Sequence, residues 1–140
     1  MTDVCVDASV ALDLLVPSEA TPAVDALWTQ WLAEGTTIVA PPYLFVEVTS
    51  VLRNKVFLRR ISPERGENAF REFLDMPIEP VEFAGIRERA WRLAVELGRP
   101  EAYDSQYLAV AEHRGCEFWT TDQRLYRAVG NTLSWVRIAS

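Results

Sequence analysis

The sequence predicts an α/β fold: a mainly parallel sheet with helices on both faces. Three observations carry this. Short apolar runs of strand length alternate with longer segments whose apolar residues recur at helical spacing, the pattern of repeated β-α units. Glycines follow the helical segments at Gly35, Gly98 and Gly115, the usual left-handed stop of a helix. Acidic residues stand just beyond several of the apolar runs, where open α/β sheets bind their ligands.

In chain order, Val4–Val6 reads as a short buried strand. Ser9 is a candidate N-cap for a helix through Leu15, stopped by Pro17. Ser18 or Thr21 then caps a helix bearing the stripe Val24, Leu27, Trp28, Trp31 and Leu32. Thr37–Ala40 is the second strand, broken by Pro41-Pro42. A long helix follows from about Tyr43 to Leu58. Leu44, Val48, Val51, Leu52 and Val56 face its core side, while Glu47, Ser50 and Asn54 form a polar stripe. Ser62-Pro63-Glu64 is a strong helix start, with a cap, a proline at the first turn and an acid at the positive end of the dipole. That helix reaches about Leu74.

Ile78–Phe83 contains the third strand, and Pro80 within it suggests a sheet edge. Helices are expected over Ala84–Leu97 and over about Ala102–His113. Phe118–Thr120 is the fourth strand, Asp122–Val129 a short helix and Trp135–Ile138 the fifth strand.

The chain has 140 residues, 49% of them hydrophobic, enough for one domain with a real core and too few for two. The expected organisation is one domain over residues 1–140. No apolar run approaches the roughly 18 residues of a membrane span, and the start lacks a signal-peptide pattern, so the cytoplasm is the expected compartment and no membrane the expected context. Cys5 and Cys116 fall at offset positions on strands expected to be neighbours, too far apart to bridge. They read as two small buried apolar residues.

The net charge of −6 argues against nucleic-acid binding by bulk attraction, but its distribution is uneven. Residues 1–52 contain seven acids and no Lys or Arg. Residues 53–71 then carry Arg53, Lys55, Arg59, Arg60, Arg65 and Arg71 against Glu64 and Glu67, a local excess of +4. Thirteen of the fourteen basic residues are Arg, which binds phosphate bidentately and stacks on bases. This segment suits either a solvated helical hairpin or an RNA-binding rim formed by Arg53, Lys55, Arg59 and Arg60.

Asp7 follows the first strand and Asp122 the fourth. Glu47 stands alone in an apolar helical stretch, and Asp104 opens the segment Tyr107–Ala111. Each has an ordinary alternative: Asp7 and Asp122 as helix caps, Glu47 as part of a solvated face, Asp104 as a first-turn acid. Taken together they converge on the crevice of a doubly wound sheet. Four clustered carboxylates repel one another and raise each other's pKa values. None has a Lys or Arg next to it in sequence, so Mg²⁺ or Mn²⁺ is the expected remedy, bound by hard oxygen ligands. Such ions activate water for phosphodiester cleavage, which leaves 5′-phosphate and 3′-hydroxyl ends.

The segments Val6-Asp7-Ala8-Ser9-Val10, Phe45-Val46-Glu47-Val48, Tyr103-Asp104-Ser105-Gln106-Tyr107-Leu108-Ala109 and Thr120-Thr121-Asp122-Gln123-Arg124-Leu125 resemble the four motifs of PIN-domain ribonucleases. The similarity is greatest to their bacterial toxin branch, the VapC-like toxins of type II toxin–antitoxin systems. It spans nearly the whole chain, and the set of four is specific where each motif alone is weak. The resemblance implies a five-stranded parallel sheet in order 3-2-1-4-5. It implies that Asp7, Glu47, Asp104 and Asp122 are the catalytic, metal-binding acids, with Ser9 and Thr120 in support. It also implies RNA such as tRNA as substrate, a VapB-like antitoxin as partner, and a homodimer. Trp28, Trp31, Tyr43, Phe45 and Phe57 are then candidates for a hydrophobic groove that holds the antitoxin.

Two other α/β phosphate-handling folds fit less well. A haloacid-dehalogenase-like phosphatase needs a second Asp where Ser9 stands. A response-regulator receiver needs a Lys near its last strand, and the only Lys is Lys55. A non-catalytic binding module retaining the fold is the alternative from another class.

Overall fold

The computed structural model describes residues 2–140. Among these, five strands form one parallel sheet: β1 (Asp3–Val6), β2 (Thr37–Ala40), β3 (Ile78–Pro80), β4 (Glu117–Thr120) and β5 (Val136–Ile138). Their spatial order is β3-β2-β1-β4-β5. The connecting helices are α1 (Ala8–Leu15), α2 (Thr21–Glu34), α3 (Tyr43–Phe57), α4 (Pro63–Leu74), α5 (Ile86–Glu96), α6 (Asp104–Arg114) and α7 (Gln123–Val129).

The central strand β1 is shielded on both sides, as parallel strands require, and Cys5 and Val6 are fully buried. Cys5 registers with Val39 on one side and Phe118 on the other. Helix α6 packs against β1, β2 and β4. Its residues Tyr107, Leu108, Ala109, Val110 and Ala111 are all buried, which explains why that segment reads as a continuous apolar run rather than a stripe. Among the described residues, no helix is long and apolar enough to cross a membrane.

Several boundaries differ from those expected, each for a local reason. The N-cap of α1 is Asp7 rather than Ser9: the Asp7 carboxylate accepts from the Ser9 and Val10 amides. Helix α2 begins after Ala20 with no side-chain cap. Ser18 and Thr21 instead stitch the turn before it, with the Ser18 amide donating to Thr21 Oγ1 at 2.7 Å. Strand β3 stops at Pro80, although the Val81 amide still donates to Ala40 O at 2.8 Å. Its edge position is borne out, since β3 pairs with β2 alone. Helix α5 starts at Ile86, because Gly85 before it takes φ +90°, a left-handed conformation outside the helix.

Helix α3 ends in a Schellman motif. The Arg60 amide donates to Lys55 O at 2.8 Å and the Arg59 amide to Val56 O at 3.0 Å. The left-handed position usually filled by glycine is here Arg59, at φ +58°. Cys5 and Cys116 are both free thiols. Glu117, which follows Cys116, stands opposite Val4, which precedes Cys5, so the two cysteines are offset along neighbouring strands.

The aromatic residues depart from the expected groove. Trp31 is buried, and its ring meets Trp28 and Trp119 edge-on with centroids 6.3 and 6.1 Å away. Tyr43, Phe45 and Trp28 pack against the core, and Phe45 lies 5.8 Å from Phe73. Of the five candidates, Phe57 alone is mainly exposed, at 68%. Of the apolar arc of α2, Val24 and Trp31 are buried and Leu27 and Trp28 pack partly against the core, while Leu32 is left half exposed.

Candidate active site

Strands β1 and β4 end side by side, with Val6 in register with Trp119. The next residues out, Asp7 and Thr120, therefore meet at the carboxyl edge of the sheet. Thr120 Oγ1 donates to Asp7 Oδ2 at 2.6 Å and accepts from the Asp122 amide at 3.0 Å. Ser9 Oγ donates to Asp7 Oδ1 and accepts from the Thr121 amide at 2.9 Å. The two hydroxyls thus tie the end of β1 to the end of β4. Both spend their single proton on Asp7, so Ser9 and Thr120 hold the first acid directly.

Asp7 is only 6% exposed. Burial pushes its carboxyl up to about 7; the bonds from Ser9, Thr120 and the Val10 amide pull the other way, and the Glu47 charge adds to the rise. Glu47 projects from the first half of α3. Burial raises it, with the charges of Asp104 and Asp122 adding, while the Tyr107 hydroxyl donates to Oε1 at 2.9 Å and opposes the rise. Asp104 opens α6 and is also raised, by burial first and then by Asp122, against the counter-effect of Arg99. Asp122 caps α7, accepting from the Arg124 and Leu125 amides at 2.9 and 3.2 Å. The four acids thus come from four different elements yet act on one another's charges, as expected of a shared crevice.

One expectation needs correction. Arg99 Nη2 lies 3.5 Å from Asp104 Oδ2, so a basic residue does partner one of the acids. It is five positions away in sequence, on the loop that folds back over the start of α6. The four acids are also not drawn into a ready-made cage: no group of three His, Cys, Asp or Glu side chains among the described residues converges on one point. Each is held apart by its own partner: the Ser9 and Thr120 hydroxyls, Tyr107, Arg99, or the amides of α7.

This donor set nonetheless fits a hard divalent cation. All four groups offer oxygen, and Glu47 Oε2 and Asp122 Oδ2 take no hydrogen bond among the described residues. Mg²⁺ keeps several of its waters and needs only one or two carboxylates, so a loose ring of acids suits it better than a closed cage. Asp7, Glu47, Asp104 and Asp122 would hold such an ion.

The basic segment is not brought to the acids. Arg53 and Lys55 lie six and eight residues beyond Glu47 on α3, about 9 and 12 Å further along the helix axis. Arg59 and Arg60 follow in the turn to α4, and the Arg53 guanidinium rests over the Phe57 ring at 5.6 Å. Tyr107 and Arg99 are the partners missed by the sequence reading. Tyr107 had a signal, standing three residues after Asp104 on the same helix. Arg99 had none, because its approach depends on the path of a loop.

Comparison with known proteins agrees with this architecture. A family model described as "PIN domain" matches residues 4–131. The chain is 29% identical over 122 residues to a "VapC ribonuclease Mb0985" of Mycobacterium bovis, covering 87% of each chain. It is likewise 29% identical to a "Ribonuclease VapC9" of Mycobacterium tuberculosis, again over 87% of both. Among solved structures, PAE2754 from Pyrobaculum aerophilum superposes with a TM-score of 0.66 at 24% identity, over 95% of this chain and 91% of that one. That likeness bears on the fold.

Proposed function

The chain belongs to the PIN-domain family, and on that premise we propose that it is a metal-dependent endoribonuclease, the toxin of a type II toxin–antitoxin pair. The observation that carries the reading is the set of four carboxylates from α3, α6 and the ends of β1 and β4. Three of them are pushed above their ordinary pKa by burial and by one another's charge. Such charge crowding costs stability, and a bound cation or a catalytic duty is the usual reason to keep it.

Bound at these acids, Mg²⁺ or Mn²⁺ would polarise the phosphate and lower the pKa of a water for attack. Asp7 would hold its position through the Ser9 and Thr120 hydroxyls. Tyr107 would keep Glu47 turned into the crevice. Arg99 would neutralise Asp104 when no ion is present. Attack by water on an RNA phosphodiester leaves a 5′-phosphate and a 3′-hydroxyl. Arg53, Lys55, Arg59 and Arg60 would bind the RNA backbone away from the cut bond.

The relatives are named ribonucleases, which supports an RNA substrate; that tRNA is among the candidates, and that a VapB-like antitoxin silences the enzyme in the cytoplasm, belong to the proposal. An apolar cleft of about 480 Å³ between α3 and α4, lined by Leu52, Val56, Gly66 and Phe70, offers room for a segment of that partner. A homodimer is part of the same proposal. The test is incubation of the purified protein with tRNA and with unstructured RNA, in Mg²⁺, in Mn²⁺ and in EDTA, with end-mapping of the products. Metal-dependent cuts bearing 5′-phosphates are expected. Equal cleavage in EDTA, or none with either metal, would overturn the reading.

A further inference from the structure

A row of three tyrosines runs from the surface to Glu47. Tyr103, the residue before Asp104, is 56% exposed. Its ring stacks on Tyr43, with centroids 5.7 Å apart and planes 22° from parallel. Tyr43 meets Tyr107 edge-on at 6.2 Å, and the Tyr107 hydroxyl donates to Glu47 Oε1. The core accounts for Tyr107, which is fully buried, but not for Tyr103. Beside the outer pair opens a cleft of about 560 Å³, lined by Tyr43, Tyr103, Arg87, Glu101, Ala102 and Gln106.

The chemistry of the lining selects its occupant. Gln106 Nε2 donates one of its two protons to Ala102 O at 3.0 Å, and its carbonyl oxygen is left to accept. Glu101 adds a carboxylate. The Glu101 carboxylate repels a phosphate, and both acceptors suit the amino edge of a base. Arg87, loosely paired with Glu82 at 3.5 Å, stands on the outer wall where a phosphate could meet it. We propose that Tyr103 and Tyr43 form a stacking platform for an unpaired RNA base, which sets the neighbouring phosphodiester against the four acids. Aromatic stacking of this kind tolerates any base, because every base has a π-face. A paired base cannot use it, so the platform selects single-stranded or looped RNA. This proposal rests on the RNA-cleaving reading of the site.

The test uses a single-stranded oligoribonucleotide carrying 2-aminopurine, bound by the full-length protein with Ca²⁺ in place of Mg²⁺. Stacking should quench the probe, and the same strand in a duplex should show no quenching. Tyr103→Ala should abolish quenching and weaken binding about tenfold, the loss of one base–aromatic stack. Tyr103→Phe should retain both. In Mg²⁺, Tyr103→Ala should raise KM on a single-stranded substrate and also lower kcat, because the stack positions the phosphodiester against the acids. A wild-type protein that cleaves RNA, with Tyr103→Ala binding and quenching as wild type does, would overturn the platform and leave the nuclease reading standing. A wild-type protein that quenches the probe but never cuts RNA would overturn the nuclease reading and support the platform. Absence of both binding and cleavage would overturn both.

Discussion

Thr120 Oγ1 reaches Asp7 Oδ2 at 2.6 Å across 113 positions of sequence, and by doing so joins the ends of the two central strands at the site. The hydroxyl supports a carboxylate that its surroundings otherwise oppose. Asp7 is buried and raised to about 7 although hydrogen bonds from Ser9, Thr120 and the Val10 amide favour its charged form. The charged form of the first acid of the crevice is therefore held under electrostatic strain.

Relief of that strain is measurable. Asp7→Asn keeps the shape and the accepting oxygen but removes the buried charge. It should raise the thermal midpoint of the metal-free protein by several degrees while lowering RNA cleavage by orders of magnitude. Calorimetry in EDTA beside a cleavage assay checks it. A lowered midpoint would mean that the ionised carboxylate stabilises the fold.

The pH dependence follows with a definite sign. An acid whose folded pKa lies above its unfolded value binds more protons when folded, so stability falls as pH rises from about 4 to about 7 and levels off above that. Glu47 and Asp104, also raised, add in the same direction. The loss should be on the order of a few kcal/mol in EDTA and should shrink when Mg²⁺ is added, because the cation competes with the proton. Urea titrations across this range, with and without Mg²⁺, provide the measurement.

Thr120→Val replaces the fully buried hydroxyl with a methyl group. Asp7 loses a donor to its charged form and the Asp122 amide loses its acceptor. The fold should weaken by about 1–3 kcal/mol, and the pH at which metal binding reaches half its maximum should move upward. An unchanged pH midpoint would show that Ser9 alone holds Asp7.

Arg99 and a divalent cation compete for Asp104. Arg99→Gln removes a positive charge 3.5 Å from the carboxylate and should tighten Mg²⁺ binding several-fold, in keeping with the ~1 kcal/mol ceiling of a partly exposed ion pair. Titration calorimetry of both forms would detect it. Equal affinities would place the Arg99 side chain elsewhere in solution.

Arg59 offers a separation of stability from binding. At φ +58° it holds a position that suits glycine, so Arg59→Gly should raise stability by about 0.5–1 kcal/mol. Arg59→Ala with Arg60→Ala should weaken RNA affinity and flatten its dependence on salt. An unchanged salt slope would show that the segment is a solvated turn.

Much of this protein can be read along the chain. The alternation of short apolar runs with helical stripes specifies a parallel α/β sheet, because its central strands, buried on both faces, leave no place for alternating polar residues. Gly35, Gly98 and Gly115 mark helix ends through a backbone conformation that costs glycine little. Asp7, Glu47, Asp104 and Asp122 stand out as acids in or beside apolar segments. These are local signals, set by the period of each element and by the preferences of single residues.

The rest depends on which surfaces meet. Nothing near Asp104 in sequence shows that Arg99 turns back to it, and nothing near Glu47 shows that Tyr107, 60 positions away, supplies its hydroxyl. The stripe of α2 could not show that Trp31 packs on Trp119 rather than lining a groove. The stack of Tyr103 on Tyr43 arises because α3 and α6 start at the same edge of the sheet. Local spacing states which face a side chain occupies on its own element. What lies opposite that face is decided by the crossover connections and strand register, and these bring together residues up to 113 positions apart.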